Sequence, residues 1–139
     1  MVDSWPEPKP AVAVTIAALK AKLVALYPAS YTSSLYVRSE QPETRPTKYV
    51  VVSLLGTDFP NPAFTVSRPL IECWAESSAA AEVLAGHCVR ALKNAKGQEF
   101  ADGWVKAFDN IQGPLELNDP DIQDRRRYQF HGDLYISTR

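Results

Sequence analysis

The segment "RYQFHGDLYIS" (residues 127–137) alternates without a break. Tyr128, Phe130, Leu134 and Ile136 fall on one side, with Gly132 in the same row. Arg127, Gln129, His131, Asp133 and Tyr135 fall on the other. A period of two puts successive side chains on opposite faces of a strand, so the segment predicts a strand with one covered face and one polar face. Antiparallel sheets are built in this way, whereas buried parallel strands read as unbroken apolar runs. The chain must therefore supply something apolar to cover one side of a sheet.

Two segments supply it. Val12, Ile16, Leu19, Leu23 and Leu26 recur at spacings of four, three, four and three, predicting a helix over residues 11–27 that starts at Pro10 and is stopped by Pro28. A second helix begins at Ser77 or Ser78, either of which can cap the first turn, and presents Ala81, Leu84, Cys88, Ala91, Leu92 and Ala95 along one side up to Gly97. Further strands are expected at 34–39, at the β-branched stretch "KYVVVSLLG" (48–56), at 63–75 and at 103–111. Pro69 lacks a donor for the ladder, so the 63–75 strand is expected at an edge or with a bulge there. "EQPETRPT" (40–47) reads as a hairpin-type loop and "TDFPNP" (57–62) as a second loop. The class expected is α/β of the α+β kind: a single, mostly antiparallel sheet of about five strands with two helices packed on one face. Residues 1–10, with three prolines, form an extended N-terminal arm, and 11–139 form one domain.

The totals exclude several functions. Net charge is −1 over 139 residues, without the basic surplus that phosphate-gripping requires. No stretch approaches the roughly 20 apolar residues of a membrane span. The run "AVAVTIAAL" (11–19) follows Glu7 and is broken by Lys20 and Lys22, unlike a signal-peptide core, so assembly in the cytoplasm is expected. Two cysteines make no disulfide framework.

The candidate chemistry is thin. Cys73 shares a strand side with Ile71 and Ala75, and Cys88 lies on the apolar side of the second helix, so both read as small buried hydrophobes. Zinc sites offer paired ligands at short spacing, and none is present. His131 and Asp133 share a strand face, but no "GxSxG" elbow supplies a nucleophile. No catalytic residue, metal ligand or cofactor site is expected. A small thiol or hydrolase-type enzyme using Cys73 or His131 is the rival from another class. "NDPDIQDRRRYQF" (118–130) sets Asp119, Asp121 and Asp124 before Arg125, Arg126 and Arg127. It lacks the glycine and glutamate of a calcium loop. Its functional reading is complementary charge between subunits, for which the planar arginine fork is suited. Trp5, on the proline-rich arm, is the other candidate for holding a neighbour.

"PLIECWAESSAAAEVLAGHCVRALKNA" (69–95), "GPLELNDPD" (113–121) and "RRRYQFHGDLYISTR" (125–139) resemble the tail terminator proteins of long-tailed bacteriophages, of the siphophage type. A strand ending in "ECWA" feeds an Ala-rich helix, a loop rich in Asp and Pro follows, and the chain closes on an aromatic alternating strand. The resemblance covers residues 64–139 well and the rest loosely. It implies a ring-forming structural subunit, a hexamer, without catalytic residues. Such a ring caps the tail tube, stops its polymerisation and offers a surface to head-completion proteins. The partners implied are further copies of the chain, the tail tube protein and a head-completion or connector protein. DNA would only pass through the lumen. The location implied is the neck region of the virion tail. Another neck component, a head-closure or connector protein, is the nearest alternative.

Overall fold

The computed structural model describes residues 5–138. The chain forms helix α1 (Ala11–Leu26), a single turn α2 (Ala29–Thr32), strands β1 (Tyr36–Arg38), β2 (Lys48–Asn61) and β3 (Phe64–Ala75), helix α3 (Ser78–Lys93), and strands β4 (Gln98–Phe100), β5 (Gly103–Glu116) and β6 (Arg126–Ser137). One sheet of six strands, not five, runs in the order β1-β2-β3-β6-β5-β4. All pairs are antiparallel except β1 with β2, so the α+β class holds.

The C-terminal alternation is realised in β6. Phe130, Gly132, Leu134 and Ile136 are buried beneath the helices, and the intervening residues lie on the open face. α3 also follows its pattern. Ser77 accepts a hydrogen bond from the Ala80 amide at 3.1 Å, and Ala81, Leu84, Cys88, Ala91, Leu92 and Ala95 are wholly buried. α1 is rotated from the expected stripe. Its buried set is Ala11, Val14, Thr15, Ala18, Leu19 and Leu23, while Val12 and Ile16 only flank the core. Small residues let the helix approach the sheet closely. Thr15 joins them because its hydroxyl donates to the Ala11 carbonyl at 2.7 Å, which cancels the cost of burying it. Pro10 takes the N-cap position, just outside the first turn where it was expected.

Two other expectations are corrected. The 34–39 and 48–56 strands pair in parallel (Tyr36 with Tyr49, Arg38 with Val51), not as a hairpin. A parallel crossover usually needs a long connection. Here β1 has only 3 residues, so the 39–47 loop returns over roughly 10 Å. The 57–62 segment is not a loop, because β2 runs on to Asn61 and turns there, with the Asn61 side-chain oxygen accepting from the amides of Ala63 (2.8 Å) and Phe64 (3.3 Å). Pro69 meets the second of its two expected settings, lying in the central strand β3 beside a bulge. It is tolerated because β2 bulges between Leu54 and Gly56, and because the β3–β6 register skips Arg68 and Pro69.

β4 and the one-turn α2 were not expected. The β4–β5 hairpin turns on Ala101 (φ 48°) and Asp102 (φ 67°), both left-handed, as a two-residue primed turn requires. β5 is longer than expected and bulged at three places. Asn110 and Gly113 take positive φ, and the Gly113–Pro114 bond is cis.

Candidate interaction surface

β-branched and aromatic residues at odd and even positions of β2 and β3 serve opposite faces of the sheet. Val50, Val52, Ile71 and Cys73 enter the helix-covered core, and Tyr49, Val51 and Trp74 enter a second, smaller core on the other face. There the Tyr49 and Trp74 rings stack at 5.6 Å and 7°. Tyr36 meets Tyr49 edge-on at 6.2 Å, and Ile122 packs on the group from the 117–125 loop.

The Asp/Arg segment closes over this small core. The Arg127 guanidinium lies 5.1 Å from the centroid of Trp74 and pairs with Glu72 at 3.6 Å. Arg125 donates from Nε to the Pro46 carbonyl (3.0 Å) and from Nη2 to the Arg45 carbonyl (2.9 Å). Asp124 pairs with Arg45 at 3.1 Å. The 39–47 and 117–125 loops are thereby stitched together across some 80 residues of chain. Asp119 shapes its own loop, accepting from the Asp121 amide at 2.9 Å. Asp121 and Arg126 remain exposed, and the charge of Arg126 helps to lower the pKa of Glu116, after the Ser78 and Asn118 hydrogen bonds.

Trp5 lies apart from this cluster. It is 54% exposed on an extended arm whose base is fixed by an ion pair between Lys9 and Asp102 at 3.2 Å. Of the seven residues that sequence reasoning singled out, six therefore meet in one loop region, and Trp5 does not join them. Sequence reasoning missed the opposite end of the sheet, where Leu55 and Phe59 of the β2–β3 hairpin and Trp104 of β5 are exposed. Past Gly56 only Thr57 and Phe59 favour a strand, and Asp58, Pro60 and Asn61 hid the extension of β2.

No family model matches the sequence, and no curated protein matches it. A solved chain described as "Virion of native gene transfer agent (GTA) particle" is similar in structure. It superposes with a TM-score of 0.64 over 91% of this chain and 98% of that chain, at 15% identity. The likeness is one of fold.

The thiol and imidazole candidates are kept apart by the sheet. Cys73 and Cys88 are buried together under the helices, and burial, with Cys88 adjacent, pushes the Cys73 thiol well up, away from the reactive thiolate. His131 sits on the other face, and the Asp133 carboxylate accepts from Asn110 at 2.8 Å and approaches Arg68 at 4.0 Å. No group of three His, Cys, Asp or Glu suited to a metal occurs among the described residues.

His87 has a different setting. Its ring stacks on Tyr27 at 3.9 Å and meets Tyr31 edge-on at 5.0 Å, while burial and the neighbouring Arg90 lower its pKa. Burial, with Cys88, Cys73 and Tyr27 adding to it, pushes the Tyr31 phenol up to about 12. A depressed histidine pKa means that the unfolded chain binds the proton first. The stability it confers is present at pH 7 and is lost as pH falls below about 6.5 and through the lower pKa of the folded chain. Urea midpoints should therefore fall between pH 7.5 and 5.5, and His87→Phe, which keeps the stack, should flatten that slope. An unchanged slope in the variant would place the titration elsewhere.

Proposed function

We propose that the chain is a structural subunit of a phage-type virion, and specifically a tail terminator that caps the tail tube as a ring and receives head-completion proteins. The observation that carries this reading is the extent of the fold likeness. It spans nearly the whole of a chain from a virion particle rather than a hairpin or helix pair common to many folds. The 69–95, 113–121 and 125–139 segments that resemble the terminator family fall on β3–α3, on the end of β5 with the loop after it, and on β6.

The surfaces suit such a role. A ring needs two different patches that meet on neighbouring copies. The stitched loops at one end of the sheet form a fixed rim, on which Asp121 and Arg126 face outward while Asp119, Asp124, Arg125 and Arg127 hold the rim's shape. The other end offers Leu55, Phe59 and Trp104, the apolar kind of surface that permanent contacts use. A net charge of −1 lets DNA pass a lumen without being gripped. Gold-labelled antibody against the chain should mark particles at the junction of tail and head. Label along the capsid, or along the full length of the tail, would contradict the assignment.

A further inference from the structure

A groove of about 560 Å³ opens between α2, the start of β2 and the first turns of α3. Its apolar wall is Ala79, Ala80 and Val83, and Val83 is 51% exposed. At its other side the Lys48 ammonium sits 4.1 Å from the centroid of Tyr31, and among the described residues no carboxylate pairs with it. Glu76 also lines the groove but forms no ion pair with Lys48. The site therefore asks for an apolar body beside a negative charge. The arm carries that combination in "WPEP": Trp5 is 54% exposed, Glu7 is exposed and unpaired among the described residues, and Pro6 and Pro8 hold the backbone extended.

We infer that the Trp5–Glu7 stretch of one copy docks in the Tyr31/Lys48/Val83 groove of the next copy, with the Trp5 indole against Val83 and the Glu7 carboxylate on Lys48. The inference rests on the ring reading given above for the presence of a second copy. Distance forbids the arm from filling its own groove. The arm leaves the fold at the β4–β5 turn, where Lys9 meets Asp102, while the groove lies at the Ala75–Arg126 end of the sheet. The 12 residues of β6 that separate these ends span roughly 40 Å. The stretch from Trp5 to Lys9 reaches at most ~15 Å. Arm and groove are different patches, so the contact is heterologous and continues from copy to copy until it closes. Tryptophan is a frequent anchor of such contacts, and a proline-held arm loses little entropy on docking.

The test uses the full chain and the mass of the species it forms in solution. Glu7→Lys and Lys48→Glu should each weaken assembly by roughly tenfold, since each sets like charges together. The double reversal should restore assembly, and Trp5→Ala should lose it again. Unchanged far-ultraviolet dichroism would show that each variant is folded. Single reversals that assemble like the wild type overturn the arm–groove contact and leave the ring standing. A wild-type chain that stops at a dimer, with the same charge-swap pattern, keeps the contact and overturns the ring. A wild-type chain that stays monomeric overturns both.

Discussion

Replacing Phe130 with alanine should lower the stability of the fold by about 3–5 kcal/mol, the range for emptying an aromatic site in a close-packed core. Phe130 is 1% exposed, faces Ile71 across the β3–β6 ladder and meets Phe108 edge-on at 6.3 Å. The Phe108 ring also occupies the space left by Gly132, where a Cβ would come within 2.8 Å of it. The two rings and the glycine therefore fit as one unit, and neighbours pinned on both strands cannot collapse into the vacancy. A drop in the urea midpoint with an unchanged slope is the expected result. Phe59→Ala, at an exposed position of the β2–β3 hairpin, should change stability by no more than about 0.5 kcal/mol. Equal effects at the two positions would mean that the core is not where the alternation of β6 places it.

Trp74→Ala should cost about 3 kcal/mol, the lower end of the same range. The indole N–H is buried without an acceptor, and removing it relieves part of the loss. The distinctive consequence lies in the loops. Without the ring, Arg127 loses the face it covers, Ile122 loses its floor, and Tyr49 loses its stacking partner. Amides of the 117–125 loop, together with the Arg127 amide held by the Asn118 side chain at 2.9 Å, should then exchange with solvent much faster than those of α3. Trp74→Phe keeps a stacked ring without the unsatisfied N–H and should cost less than about 1.5 kcal/mol. Exchange that is uniform across the molecule would show that the second core does not hold the rim.

Local pattern explains what could be read from the sequence in advance. β6 and α3 were legible because each carries its period without interruption, and each capping or facing residue lies within a few positions of its partner. α1 was legible as a helix but not in its rotation. Its residues are apolar nearly all round, so alanines and Thr15 could compete with Val12 and Ile16 for the inward side. The β4–β5 hairpin was hidden because Ala101 and Asp102 occupy left-handed positions that usually advertise themselves by Asn-Gly. The parallel pairing of β1 depends on the shortness of that strand, which no residue announces.

The charged segment shows the same limit at the level of the site. Asp119 to Arg127 was recognisable as a cluster, and Arg125 does pair with its neighbour Asp124, yet Arg125 and Arg127 also reach Arg45, Pro46, Glu72 and Trp74, brought in from distant strands and loops. Those contacts assign two of the three arginines to their own subunit. Spacing along the chain carries no information about those distant partners.

The central claim, that this chain ends a tail tube, is tested most directly by electron microscopy of particles produced in its absence. The account predicts overlong, headless tails beside filled heads, since nothing else would stop the tube. Tails of normal length that merely fail to join heads would contradict it and would move the chain to the head side of the neck.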